Sequence, residues 1–164
     1  MAKHTFSVLV NNQMGVLSRV AGLFSRRGFS IESLSVGTTE DKKISRMTIV
    51  VECENDIFLQ IKNQLAKLMD VIAIDECDED SLVKRELALI KLDSSNSKRT
   101  RILEIANVFR AHVVDITSTS MILEVTGDDG KVSAMISMLN EFGIKEVIRT
   151  GVTAISRGDS ILKK

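Results

Sequence analysis

Residues 4–36 read HTFSVLVNNQMGVLSRVAGLFSRRGFSIESLSV, and the changes of period within them decide the fold. From His4 to Val10 the residues alternate. Phe6, Val8 and Val10 lie on one face and Thr5 and Ser7 on the other, the pattern of a half-buried strand. From Gly15 the period becomes helical: Val16, Val20, Leu23 and Phe24 share a face, with Leu17 beside them. Arg26 and Arg27 suit the carbonyl end of a helix dipole, and Gly28 suits a left-handed C-cap. A second strand is expected over residues 30–36.

Outward from this stretch, residues 38–43 form a polar hairpin loop, and residues 44–53 a third strand rich in β-branched side chains. A helix with Ile57, Ile61, Leu65 and Leu68 on one face follows, then a fourth strand from Val71 to Cys77. The order is βαββαβ. The acidic, turn-like run from Cys77 to Ser81 marks a junction. The order then restarts. Strands are expected over Glu86–Leu92, Val113–Thr117, Met121–Val125 and Ile144–Ile148. One helix is lined by Ile102, Ile105, Ala106 and Phe109, and another by Val132, Met135, Ile136 and Leu139. An offset of 85 sets Leu17 on Ile102, Val20 on Ile105, Leu23 on Val108 and Phe24 on Phe109. The expected class is α+β: two tandem ferredoxin-like domains, residues 1–77 and 78–164, each with helices over one face of an antiparallel sheet. Domains this small bury limited area, so an oligomer joined through open faces or edges is expected.

Composition narrows the function. Lys plus Arg equals Asp plus Glu at 22 each, which argues against a nucleic-acid partner, since that needs a basic footprint. RNA-recognition modules share the βαββαβ order but stack bases on aromatic residues of central strands, and Ile44–Cys53 has none. Cys53 and Cys77 match no metal or disulfide spacing and read as small buried residues. His4 and His112 are far apart in sequence; His112, at a helix end, reads as a capping or exposed residue. Asp78 and Asp80 read as solvated acids of the junction. With no nucleophile motif, phosphate loop or metal cluster, the expectation is a chain without catalytic residues, metal or cofactor. No stretch approaches the roughly 20 apolar residues of a membrane span, and no apolar leader follows N-terminal positive charge. A soluble, cytoplasmic chain is expected.

The segment most suited to binding is Asn11-Asn-Gln-Met-Gly-Val-Leu17, between the first strand and the first helix. Gly15 permits close backbone approach, and the amides of Gly15, Val16 and Leu17 open a helix whose dipole favours an anion. Asn12 adds an amide that donates and accepts. Together they suit the carboxylate and ammonium of a free amino acid, with Val16, Leu17 and Ile31 as an apolar wall. The same residues also fit a plain N-cap and turn.

Three segments, Gly15–Phe24, Arg27–Val36 and Ser45–Ile49, resemble the ACT domain of the small subunit of acetohydroxyacid synthase (acetolactate synthase). Val83–Lys91, Asp115–Ile116 and Thr150–Gly158 resemble that family's C-terminal domain. The resemblance implies a regulatory subunit that binds a large catalytic subunit using thiamine diphosphate, Mg²⁺ and FAD. That enzyme condenses pyruvate with pyruvate or 2-ketobutyrate, early in valine, leucine and isoleucine synthesis. The small subunit would activate it and confer feedback inhibition, usually by valine. It also implies that ACT domains pair side by side and hold the effector between them. Asn12, Gly15, Val16 and Leu17 would grip the amino-acid backbone, and Ser30 and Ile31 of a second copy would close the site. The family often has Asn where this chain has Ser30, which removes an amide from the ligand's reach. The loop also lacks the Asp and Pro of many other ACT domains. A tail with Arg157 and Lys163–Lys164 fits either contact with the catalytic subunit or a solvated basic end. A generic amino-acid sensor serving another enzyme is the alternative.

Overall fold

The structure, a computed structural model, describes residues 2–76 and 81–162. Cys77, Asp78, Asp80 and Lys163–Lys164 lie outside the described residues. The chain forms two compact units. Unit 1 comprises residues up to Val83 together with those from Val152 onward, and unit 2 is Lys84–Gly151.

In unit 1 the elements are β1 (Ala2–Asn11), α1 (Val16–Arg27), β2 (Ile31–Thr38), β3 (Ile44–Cys53), α2 (Asn55–Leu65) and β4 (Val71–Glu76). The sheet order is β2-β3-β1-β4, and all neighbours are antiparallel. The two periods explain this arrangement. Phe6, Val8 and Val10 of β1 and Met47, Ile49 and Val51 of β3 point to the same side, where they meet Val16, Val20, Leu23 and Phe24 of α1 and Phe58, Ile61 and Leu65 of α2. His4 stacks on Phe58 at 4.3 Å, and Phe6 stacks on it at 4.5 Å. Cys53 lies in this core, and burial pushes its thiol pKa up, which keeps it an unreactive small hydrophobe. α1 ends as expected: Gly28 takes φ +69° and its amide bonds back to the last turn.

Unit 2 repeats the plan with β5 (Leu82–Asp93), α3 (Asn96–Val108), β6 (His112–Ile116), β7 (Ser120–Gly127), α4 (Asp129–Leu139) and β8 (Ile144–Arg149), in sheet order β6-β7-β5-β8. Ala88, Ile90 and Leu92 with Met121, Leu123 and Val125 face the helices. Arg149 ties the strands to α4: it pairs with Glu86, which is buried, and reaches Asp129 at 2.7 Å. His112 opens β6 and is exposed, one of the two readings its sequence position allowed.

A single offset of 85 does not survive. Leu17 is exposed while Ile102 is fully buried, and Leu23 is buried while Val108 is 77% exposed. Buried positions coincide at an offset of 82 in the first strands (Phe6 with Ala88) and 86 in the first helices (Val16 with Ile102, Val20 with Ala106). They coincide at 74 in the third strands and second helices (Ile49 with Leu123, Ile61 with Met135). Apolar identity alone leaves helical phase open by one residue, and loops of unequal length reset it.

The last strand, β9 (Thr153–Ser156), pairs with β5, and the amide of Arg157 donates to the carbonyl of Ser81 at 2.8 Å. The segment that follows β8 therefore packs within unit 1, although chain order assigns it to the second domain. Its partners are side chains of the unit 1 sheet, which no periodicity along the chain encodes.

Candidate functional site

The loop joining β1 to α1 is pinned on two sides. The amide of Asn11 donates to the carbonyl of Asp70 at 2.9 Å, which fastens it to the approach to β4. The amide of Asn12 donates to the carbonyl of Lys43 at 2.7 Å, and its side-chain nitrogen donates to the carbonyl of Lys42 at 2.9 Å, which fastens it to the β2–β3 hairpin. Asn12 is thus no cap for α1. One amide proton is committed to the hairpin, while the side-chain oxygen keeps its acceptor capacity for a donor such as an ammonium group.

Gly15 is the N-cap of α1, at φ +81° and ψ −7°, with no side chain closing the helix end. The amide of Val16 donates back to the carbonyl of Gln13 at 3.4 Å, so the amides of Leu17 and Ser18 are the first-turn donors left facing the helix end, where the dipole favours an anion. Arg19 stands one turn along. Its Nε donates to Asp70 Oδ2 at 2.7 Å, and its Nη1 lies 3.1 Å from where a Cβ on Gly15 would sit. The left-handed backbone favours glycine here, and a side chain would also make the Arg19 guanidinium shift by a few tenths of an ångström. Sequence reading missed Arg19 and Asp70. An Arg four residues after a helix-opening Gly was the available signal, but Asp70 is brought in only by the fold.

Asn12, Gly15 and Leu17 are exposed, with Leu17 46% accessible. Val16 differs from expectation: at 3% accessible it is part of the core, so its side chain forms no wall of a surface site, and its amide is turned back to the carbonyl of Gln13 at 3.4 Å. Its core direction follows from the 3.6-residue period that also buries Val20. Ser30 is exposed in the turn before β2, and Ile31 is half-buried as the first residue of β2. Ser30 follows the C-terminal end of α1 and Gly15 precedes its N-terminal end. Twelve helical residues rise about 18 Å, so one copy does not bring Ser30 to its own Gly15.

Among the described residues no group of three His, Cys, Asp or Glu is placed to hold a metal ion, and no helix is long and apolar enough to cross a membrane.

Residues 6–73 match the acetohydroxyacid synthase small-subunit-like ACT domain, and residues 85–158 match the small subunit of acetolactate synthase. A probable acetolactate synthase small subunit of Archaeoglobus fulgidus is 54% identical over 96% of this chain and 98% of its own length. The acetolactate synthase small subunit of Mycobacterium bovis is 51% identical over 94% of this chain and 92% of its own. The crystal structure of the acetolactate synthase small subunit from Thermotoga maritima superposes with a TM-score of 0.91 at 35% identity, covering 98% of this chain and all of that one. With both halves matched in order and solved and curated relatives aligned end to end, this chain belongs to the acetolactate synthase small-subunit family.

Proposed function

We propose that this chain binds and activates the catalytic large subunit of acetolactate synthase and confers feedback inhibition on it by valine. The observation that carries this reading is the β1–α1 loop. An uncapped helix start at a left-handed Gly15, the acceptor oxygen of Asn12 and the guanidinium of Arg19 offer complementary partners for the two charged ends of a free amino acid. Exposed Leu17 and half-buried Ile31 supply apolar surface for a branched side chain. The length of α1 separates Gly15 from Ser30, so a closed site takes Ser30 and Ile31 from a second copy, and β2, an edge strand, is the place for that copy to pair. The thiamine diphosphate, Mg²⁺ and FAD of the reaction belong to the large subunit.

Inhibition requires valine to bind one arrangement of the holoenzyme more tightly than the other; typical couplings are about 1–3 kcal/mol. Acetolactate formation by the cognate large subunit, assayed alone, with this chain, and with this chain plus valine, tests both halves. Stimulation followed by inhibition on adding valine is expected. Stimulation without inhibition by valine removes valine as effector and directs the search to other amino acids, with Ser30 as the departure to revert to Asn. Absence of stimulation removes the activating role.

A further inference from the structure

The helix-free face of the unit 1 sheet carries a row of hydroxyls. Ser7 of β1 and Ser35 of β2 both register with Thr48 of β3, so the three cross the sheet side by side. They point away from the helices because Met47 and Ile49, on either side of Thr48, point into the core. Ser33 of β2 registers with Val50, one step along the same face. Each of these hydroxyls except Ser7 bonds the segment Val152–Ala154 directly. The amide of Val152 donates to Ser33 Oγ at 2.9 Å, and Ser35 Oγ donates to the carbonyl of Val152 at 2.8 Å. Ser35 Oγ also lies 3.2 Å from the hydroxyl of Thr153, and the amide of Ala154 donates to Thr48 Oγ1 at 3.3 Å. Arg46 completes the set: its Nη2 donates to the carbonyl of Ala154 at 3.2 Å and to Ser7 Oγ at 2.9 Å.

The chain thus lays a strap across the sheet: from Thr153 onward it pairs with β5, and side-chain hydroxyls and one guanidinium fasten it to the sheet beneath. Little apolar surface secures it. Ala154 is buried with Leu82, but Ile155 is 56% exposed. A short segment fastened to the sheet beneath it mainly by polar side-chain bonds can loosen while the core stays folded. Its position in the chain gives that property a use. Val152 directly follows Gly151, the last residue of unit 2. Ser33 and Ser35, which grip it, lie two and four residues beyond Ile31. Between them β2 carries a bulge, where the register with β3 shifts between Ile31 and Ser33. Bulges re-aim neighbouring side chains and add twist, so a change at Ile31 is passed to Ser33 without breaking the β2–β3 ladder.

We infer that the strap Val152–Ala154 is the relay by which occupancy of the effector site reaches unit 2: ligand contact at Ser30 and Ile31 resets β2, and Ser33 and Ser35 tighten or release the chain where it leaves unit 2. This rests on the proposed effector site and adds the route out of it. Ser33 and Ser35 act as positioning residues; they touch the strap, not the ligand.

The test uses the holoenzyme, assembled from both subunits, with valine. First, valine binding is measured by calorimetry, and acetolactate formation is measured at saturating valine, for the parent, for Ser33→Ala/Ser35→Ala, and for Thr48→Val. The relay predicts that both variants bind valine at the parent's stoichiometry but lose inhibition, keeping at least about half of their valine-free activity. Equal inhibition of the parent and both variants overturns the relay while leaving the effector site standing. A parent that binds no valine overturns the effector site and the relay with it. Second, hydrogen exchange at the Val152 and Ala154 amides is followed in the parent with and without valine. A change of about tenfold or more is expected, and unchanged exchange at both amides in a valine-inhibited holoenzyme overturns the relay even if a variant fails to fold.

Discussion

Gly15 concentrates the chemistry of the candidate site in one residue. Placing a side chain there imposes a left-handed backbone on a residue with a Cβ and crowds Arg19 Nη1 at 3.1 Å. Gly15→Ala should cost about 1–2 kcal/mol, read as a lowered midpoint of chemical denaturation. Gly15→Asp adds a carboxylate that competes with an amino-acid carboxylate for the helix end and for Arg19. Valine inhibition should disappear while stimulation of the large subunit persists; a variant inhibited at the parent's valine concentration would remove Gly15 from the site. In unit 2, Asp93 accepts from Lys98 Nζ at 2.8 Å, and this bond, aided by the amide of Ser95, holds its carboxyl below the usual carboxylate range. A lowered folded-state pKa contributes stability that is fully present above the unfolded value of about 4 and is lost as pH falls through the folded one. Asp93→Asn should therefore be less stable than the parent at neutral pH, and the gap should close on acidification below about pH 4. Denaturation midpoints at neutral and at acidic pH measure this, and a pH-independent gap counts against the ion pair.

At the scale of elements, the starts of the helices differ in ways that matter. α4 begins at Asp128, whose carboxylate accepts from the amide of Lys131 at 2.8 Å. Asp128→Ala should destabilise unit 2 by about 1 kcal/mol, as loss of an N-cap commonly does, and denaturant titration reads it directly. α1, like α2 and α3, has no side-chain cap at its start; what sets it apart is the left-handed Gly15 that opens it. Alternation in β1 predicted its core face because side chains of a strand alternate without regard to what covers them. In β2, Ser33 and Ser35 flank Leu34, but this alternation does not reveal what covers them, since hydroxyls facing water and hydroxyls facing a strap make the same pattern.

For the whole molecule, the chain leaves unit 1 after Val83 and returns to it at Val152. Cutting the chain at the acidic junction, to leave a fragment of residues 1–76, therefore removes a segment that bonds the sheet through Ser33, Ser35, Arg46 and Thr48. This fragment should have a lower thermal midpoint than the full chain's unit 1 and should bind a hydrophobic dye more strongly; adding a peptide of residues 150–162 should reverse part of the loss. A fragment as stable as unit 1 in the full chain would mean that the strap contributes nothing to folding.

The sequence by itself determined the two βαββαβ repeats, the apolar faces of β1 and of the helices, and the loop around Asn12 and Gly15. These depend on local period, on turn chemistry and on residues close together in the chain. Only the tertiary structure decided that Arg19 is oriented by Asp70 and that Val152–Ala154 lies on hydroxyls more than a hundred residues earlier in the chain. Such contacts join residues whose separation has no period, and hydrogen bonds from side chain to backbone ask only for a hydroxyl and a carbonyl, groups too common in any chain to announce which pair will meet.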